Sequence, residues 1–209
     1  MSQQERSARS RQAILEAAAS VFDERGYDAA STTEILARTG FTRGALYHHF
    51  PSKEAIALAL VAAQTEALAV PTQTVKLQEV IDLTQEFARR LQSDTVLRAS
   101  VRLSVEQTSL PQPSRTPYEW SVEAISVLLQ QAGEQGETQP GLNIDEIAHY
   151  IVGAFTGLQI VSQVYTGRQD LPERVSLMWR LLLPSIAVPS LALRLRTTPP
   201  AAPSGDIAE

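Results

Sequence analysis

Cysteine, long hydrophobic runs and a large charge excess are all missing from this chain. With no cysteine among 209 residues, disulfides and thiolate metal sites are excluded, which fits a reducing cytoplasm. The longest apolar runs, residues 55–63 and 181–188, are far shorter than the roughly 20 residues of a membrane-spanning helix. The start of the chain is polar, so the sequence predicts neither a signal peptide nor a membrane contact. We therefore expect a soluble cytoplasmic protein.

Histidine is also scarce, with only three residues, His48, His49 and His149. Adjacent residues on a helix point about 100° apart, so His48 and His49 cannot chelate one ion. Asp145 and His149 have the i, i+4 spacing of either a metal site or a surface ion pair, and ion pairs are far commoner. We found no glycine-rich phosphate loop and no G-x-S-x-G sequence. The sequence favours a protein without metal or cofactor, and a small-molecule-modifying enzyme stays open as a remote alternative.

The net charge of -5 is unevenly distributed along the chain. Residues 1–53 contain seven Lys/Arg and six Asp/Glu, a balance of +1, while the remainder contains 11 and 17, a balance of -6. The basic excess is therefore confined to the N-terminal region, where neutralisation of nucleic-acid phosphates would require it.

Residues 31–50 contain the signals of two short helices joined by a tight turn. Ser31 is followed three residues later by Glu34, which is a capping box that can start a helix. Gly40 is placed to end that helix. Thr42 is a favourable N-cap for a second helix over residues 43–50. This spacing is typical of a helix-turn-helix.

The second of these helices has one apolar face and one polar face. Leu46 and Phe50 lie one turn apart and are expected to pack inward. Another face of the helix carries Arg43, Gly44, Tyr47 and His48. These residues contribute a guanidinium, a backbone without side chain, a phenol and an imidazole. All four groups can meet base edges or phosphates in a major groove. The pattern therefore predicts binding to double-stranded DNA.

Residues 11–53 resemble the DNA-binding domain of the TetR family of bacterial repressors. The resemblance is carried by an apolar first helix, the Gly26-Tyr27 pair, the run GALYHHF and a closing Lys53. It implies DNA contacts from Thr32, Thr33, Arg43, Gly44, Tyr47, His48, His49 and Lys53. Many relatives have Lys in place of Arg43 and a bulkier aromatic in place of His48, so the operator sequence does not carry over.

A polar segment, residues 1–10, precedes the first helix, which the apolar spacing places at residues 11–25. We expect this segment to fray in the free protein. Arg6 within it, and Arg11 at the start of the helix, are cations that on DNA would reach phosphates or the minor groove.

The rest of the chain has mostly helical apolar spacing. Helices are predicted at residues 53–68, 74–91, 118–135, 143–165 and 171–188. Residues 94–109 instead alternate apolar and polar side chains, which is the strand period. A lone strand cannot satisfy its backbone and no second strand is evident, so the family resemblance decides this segment as helix.

The expected fold is all-α with two domains and a tail. We predict an N-terminal three-helix helix-turn-helix domain at residues 1–52, and a C-terminal helical ligand-binding and dimerisation domain at residues 53–196. Residues 197–209 are rich in Pro, Ala, Ser and Gly and are expected to be disordered.

The helices at residues 143–165 and 171–188 are apolar nearly all round. One small domain cannot bury the apolar side chains on all sides of both helices. A four-helix interface in a homodimer would bury the remaining ones. Gly153 and Gly157 would permit close backbone approach at that interface.

Four further segments narrow the resemblance to the γ-butyrolactone receptor branch of the TetR family in Streptomyces-type actinomycetes. They are VRLSVEQ at 101–107, Trp120, VGAFTGLQIVSQ at 152–163 and LPSIAVPS at 183–190. The branch implies repression of antibiotic-biosynthesis and regulatory genes at pseudo-palindromic operators. Release is then triggered by a small lactone-type signal, namely a γ-butyrolactone, butenolide or furan.

At the matching positions, the resemblance implies that Trp120 forms a wall of the ligand pocket. It also implies that Gln64 and Thr156 hydrogen-bond the ligand's oxygens. Trp120 is equally compatible with ordinary core packing, and the Thr156 hydroxyl with a bond to its own helix. A pseudo-receptor of the same fold, answering to antibiotics or biosynthetic intermediates, stays open as the main alternative.

Overall fold

The computed structural model describes residues 2–66, 70–106 and 116–198. Within these ranges the chain is helical and has no β-strand, apart from one isolated bridge between Thr138 and Ala187. The described helices are α1 (Gln3–Ala29), α2 (Thr32–Thr39), α3 (Arg43–His49), α4 (Lys53–Glu66), α5 (Lys76–Ser93), α6 (Thr95–Val105), α7 (Thr116–Glu134), α8 (Ile144–Thr166), α9 (Leu171–Ile186) and α10 (Pro189–Ala192). The prediction of an all-α fold is confirmed.

The helices group into two compact units. The described parts of Met1–Leu68 and Ser93–Glu119 form the first unit, and those of Ala69–Gln92 and Trp120–Glu209 form the second. The first unit therefore contains α4 and α6, which the sequence assigned to the second domain, because α6 packs against both α1 and α4. The functional assignment of residues 53–196 stays a prediction.

The first helix begins at Gln3, so the expectation of a frayed segment before Arg11 is wrong. Ser2 and Glu5 form a capping box, in which the Glu5 backbone N–H donates to Ser2 Oγ at 3.2 Å and the Ser2 backbone N–H donates to Glu5 Oε2 at 2.7 Å. A serine followed three residues later by glutamate is the sequence signal of this helix start. Helical geometry is interrupted at Gly26, the predicted end of the helix.

The helical assignment of α6 is confirmed, and its packing explains the strand-like alternation. Asp94 caps the helix, with the Leu97 backbone N–H donating to Asp94 Oδ1 at 3.0 Å. Ala99 and Leu103 belong to the core shared with α1 and α4, while Ser100 and Ser104 are also buried. A helix packed between two others is buried around much of its circumference, so its sequence need not show a single apolar stripe.

In the second unit, α8 follows its N-cap Asn143 and ends at Gly167, whose φ of 61° is left-handed. It packs against α9, and the Phe155 ring contacts Phe87 of α5 edge to face, with centroids 5.3 Å apart. Among the described residues, α8 alone has the length and hydropathy of a membrane-spanning helix.

Glutamine side chains of α5 hold the C-terminal segment, defined here as residues 194–198. Gln78 forms a two-way pair with Arg196, donating to its carbonyl and accepting from its N–H, both at 2.9 Å. Gln85 Nε2 donates to the Thr197 carbonyl at 2.6 Å, and Ser176 Oγ donates to the same carbonyl at 2.8 Å. Residues 199–209, most of the predicted disordered tail, lie outside the described residues.

Candidate functional site

The helix-turn-helix predicted from capping signals is present in the first unit. Ser31 and Glu34 form a capping box at the start of α2, and Gly40 ends that helix with φ of 70° and an N–H bond to the Leu36 carbonyl at 3.0 Å. Thr42 Oγ1 accepts from the Ala45 N–H at 3.2 Å and starts α3. The local sequence thus fixes both helices and the turn between them.

The two short helices are anchored on α1 through apolar and ionic contacts. Leu46 and Phe50 are buried, at 0% and 3% exposure, as predicted. Arg38 of α2 donates to both Glu24 oxygens at 2.8 and 2.6 Å. These hydrogen bonds lower the pKa of the Glu24 carboxyl from 4.5 to about 2. These contacts therefore hold α2 and α3 in place against α1.

An exposed polar face links α3 to the start of α2. Arg43, Gly44, Tyr47 and His48 are all exposed. The Arg43 Cζ lies 5.6 Å from the Tyr47 ring centroid, and hydrogen bonds with Thr32 and Arg43 lower the pKa of the Tyr47 phenol. Thr33 is exposed one residue further along α2. Four of the predicted residues, Thr32, Arg43, Gly44 and Tyr47, therefore form one continuous surface.

Three other predicted DNA contacts lie outside that continuous surface. His49 is half-buried and its ring meets the His48 ring edge to face, with centroids 5.3 Å apart. The Arg11 guanidinium lies 4.9 Å above the Phe50 ring centroid, and the arginine itself is exposed. Arg6 is exposed on the first turns of α1. The DNA roles of these residues stay predictions.

Lys53 makes internal contacts that the sequence did not reveal. Its Nζ donates to the Tyr27 carbonyl at 2.8 Å and to the Ala30 carbonyl at 3.0 Å, and lies 4.4 Å from the Tyr27 ring centroid. Its hydrogen-bond partners are backbone atoms, which any residue type supplies, so no residue pattern could have identified them.

The predicted ligand residues have contrasting environments. Trp120 on α7 is 41% exposed, so it is not a fully packed core residue of the single chain. The half-buried Thr156 donates its hydroxyl to the Val152 carbonyl at 2.8 Å, the bond to its own helix that the sequence left open. The Gln64 side chain lies outside the described residues. Within the described chain, no cluster of three or more His, Asp or Glu side chains is placed to hold a metal.

A large apolar surface of α8 and α9 faces outward from the single chain. Its most exposed members are Tyr150, Val164, Tyr165 and Leu181, with exposures between 59% and 77%. No heavy atom lies within 4 Å of a Cβ built on Gly153 or Gly157. This surface has the character of a subunit interface.

A capped helix-turn-helix with an arginine-tyrosine reading face, followed in the chain by a larger helical unit, defines a DNA-binding transcriptional regulator. The protein belongs to the TetR family. Residues 14–60 match the family described as bacterial regulatory proteins of the tetR family, and residues 74–189 match the tetracyclin repressor-like C-terminal domain.

Three similar proteins place the chain within that family. It is 40% identical over 196 residues to the A-factor receptor protein of Streptomyces griseus, covering 94% of this chain and 70% of that protein. The crystal structure of TylP, a TetR regulator from Streptomyces fradiae, has a TM-score of 0.80 and 42% identity, covering 91% of this chain and 93% of TylP. A γ-butyrolactone receptor described as ArpA-like has a TM-score of 0.75 and 29% identity, covering 90% of this chain and 94% of that one. These proteins are regulators or receptors, and neither they nor the fold indicates an enzyme.

Proposed function

We propose that this protein represses transcription in the cytoplasm by binding operator DNA as a homodimer, and that a γ-butyrolactone, butenolide or furan signal releases it. The surface formed by Thr32, Arg43, Gly44 and Tyr47 is the observation that carries the proposal. It combines hydrogen-bonding groups, an aromatic ring and close backbone access on α3, the helix that a helix-turn-helix inserts into the major groove, and on the adjoining start of α2.

Around this surface, the proposed DNA contacts also include Thr33, His48 and His49. Arg6 and Arg11 are proposed to reach the DNA backbone or the minor groove from α1. In a dimer, two such helices would lie roughly 34 Å apart and enter successive major grooves of a pseudo-palindromic operator. The exposed apolar surface of α8 and α9 supports the dimer, because a second copy would cover it.

The lactone assignment rests on the similarity to the A-factor receptor and to the γ-butyrolactone receptor. A small lactone with an alkyl chain needs a mostly apolar pocket and a few polar groups, which Trp120, Thr156 and Gln64 would supply. Because the Thr156 hydroxyl donates its hydrogen bond to the Val152 carbonyl, its oxygen is available to accept a hydrogen bond from the ligand. It would therefore recognise a ligand hydroxyl, and Gln64 would bond the lactone carbonyl.

Release requires only a moderate preference of the ligand for the DNA-free conformation. A 100-fold loss of operator affinity corresponds to about 2.7 kcal/mol of differential ligand binding per dimer. By analogy with the similar receptors, we propose that the controlled genes serve antibiotic biosynthesis and regulation.

The decisive experiment is a mobility-shift assay with the DNA upstream of the protein's own gene. The complex should form without ligand and dissociate when a γ-butyrolactone, a butenolide or a furan from a panel is added. Dissociation by antibiotics alone would favour the pseudo-receptor alternative. Recovery of a chemically changed small molecule would favour an enzyme, whereas a receptor returns its ligand unchanged.

A further inference from the structure

The kink of α1 at Gly26 and Tyr27, called the corner here, receives a set of polar contacts from the end of α6. Arg102 Nη1 donates to the Asp23 carbonyl at 2.6 Å, and Arg102 Nε donates to Glu106 Oε1 at 2.7 Å. The other oxygen of that carboxylate, Oε2, accepts the backbone N–H of Tyr27 at 3.1 Å. Arg102 therefore holds Glu106 in the position from which it binds the corner.

Gly26 makes the close approach of these two side chains possible. Its φ of 75° and ψ of 177° belong to a backbone region that is almost restricted to glycine. A Cβ at this position would lie 2.7 Å from Glu106 Oε2 and 2.8 Å from Arg102 Nη2. The absence of a side chain at Gly26 therefore leaves room for the two side chains from the end of α6.

Tyr27 connects this contact to α4, which begins immediately after the helix-turn-helix. Its N–H is bound by Glu106, and its carbonyl accepts from Lys53, the first residue of α4, at 2.8 Å. The side chain is 9% exposed and stacks on Phe22 with ring centroids 6.1 Å apart. Glu106 and Lys53 therefore bind the two backbone groups of one buried residue.

We propose that Glu106, held by Arg102, is a positioning residue for operator binding, and that Lys53 positions the helix-turn-helix instead of binding a phosphate. The inference rests on the proposed repressor function. It adds the contacts through which α6 acts on the position of α3, the helix proposed to enter the major groove. In the proposal, a shift of α6 acts on Tyr27 through the Glu106 carboxylate that binds its N–H.

The test compares operator affinity over a range of salt concentrations for wild type, Glu106→Ala, Glu106→Gln, Lys53→Ala and Arg43→Ala. Loss of a charge-assisted hydrogen bond should weaken binding about tenfold in Glu106→Ala and Lys53→Ala. The salt dependence should stay unchanged in both variants, because no phosphate contact is lost. Arg43→Ala should lower the slope of log K against log salt by about 1.

Two controls separate positioning from damage to the fold. Glu106→Gln keeps an oxygen that accepts the Tyr27 N–H and should retain most of the affinity. Glu86→Ala breaks an exposed ion pair with Arg89 in α5 and should leave DNA binding unchanged. In DNA-free protein, the amide NMR signal of Tyr27 should move in Glu106→Ala and stay in place in Glu86→Ala.

Wild-type affinity in Glu106→Ala would overturn the role of Glu106. A reduction of the salt slope by about 1 in Lys53→Ala would show that Lys53 binds a phosphate and would overturn its positioning role. An unmoved Tyr27 amide in Glu106→Ala would contradict the contact itself. Failure of the wild type to bind any DNA would overturn the repressor proposal and this one with it.

Discussion

The indole Nε1–H of Trp179 donates to the Thr84 hydroxyl at 2.8 Å and joins α9 to α5 inside the second unit. Trp179 is fully buried, and the Thr84 hydroxyl donates a hydrogen bond to the Ile81 carbonyl at 2.8 Å. The threonine oxygen is therefore the acceptor on which a buried tryptophan depends.

Thr84→Val should destabilise the protein by about 1–3 kcal/mol, because the change leaves a buried indole N–H without its acceptor. Urea unfolding at fixed protein concentration measures the effect. Thr84→Ser is the matched control, since it keeps the hydroxyl and should lose much less stability. Wild-type stability in Thr84→Val would show that the hydroxyl is not needed by the buried indole.

Gly26→Ala should cost more stability than Gly40→Ala, although both glycines have positive φ. At Gly40 a Cβ meets no heavy atom within 4 Å, so the cost is the left-handed conformation alone, about 1–2 kcal/mol. At Gly26 the backbone conformation is rarer for a residue with a side chain, and the ends of the Glu106 and Arg102 side chains must also move away from the added Cβ. Thermal unfolding of both variants measures the order, and a reversed order would contradict the packing of α6 on the corner.

The Glu24–Arg38 ion pair should make stability depend on pH at the acidic end. The folded-state pKa of Glu24 is about 2, below the ordinary 4.5, so the stabilising contribution is present above pH 4.5 and is lost as pH falls toward 2. The stability difference between wild type and Glu24→Gln should shrink over that range in urea titrations. In an Arg38→Gln background the same substitution should have little effect, and a pH-independent difference would exclude the ion pair as its cause.

Tyr47→Ala should abolish operator binding while ligand binding stays intact, because it removes the ring on which Arg43 rests and the phenol bonded to Thr32. Tyr47→Phe keeps the ring and should bind DNA more weakly than wild type but more tightly than Tyr47→Ala. Mobility-shift titrations measure all three proteins. Normal DNA binding by Tyr47→Ala would refute the assignment of the reading face.

Trp120→Ala should leave DNA binding intact and reduce the release by lactone, since the change removes a proposed pocket wall far along the chain from the helix-turn-helix. The measurement is the lactone concentration that dissociates half of the DNA complex. Val127→Ala, another partly exposed apolar residue of α7, is the matched control and should respond like wild type. Normal release from Trp120→Ala would exclude Trp120 from the pocket.

The sequence predicted well those features that depend on neighbouring residues. The helix starts at Ser31 with Glu34 and at Thr42 are predictable because capping involves residues at most three positions apart. The same local signal, Ser2 with Glu5, marks the start of α1. The inward direction of Leu46 and Phe50 followed from helical spacing alone.

Contacts between residues distant in the chain could not be derived in this way. The apolar alternation in α6 favoured a strand because the two helices that cover it, α1 and α4, lie far from it in sequence. Lys53 was assigned to DNA because a lysine at a helix start suits a phosphate, whereas its Nζ bonds backbone carbonyls of Tyr27 and Ala30. The contact of Glu106 cannot be predicted from local sequence, since its partner is a backbone N–H 79 positions away.

The contacts of Gln78, Gln85 and Ser176 with the C-terminal segment determine where the chain can be shortened or extended. A truncation before Arg196 would remove the Arg196 and Thr197 carbonyls, which accept hydrogen bonds from interior side chains of α5 and α9. A purification tag or fusion partner therefore belongs after Thr198, and a shortened version for crystallisation should retain Thr197.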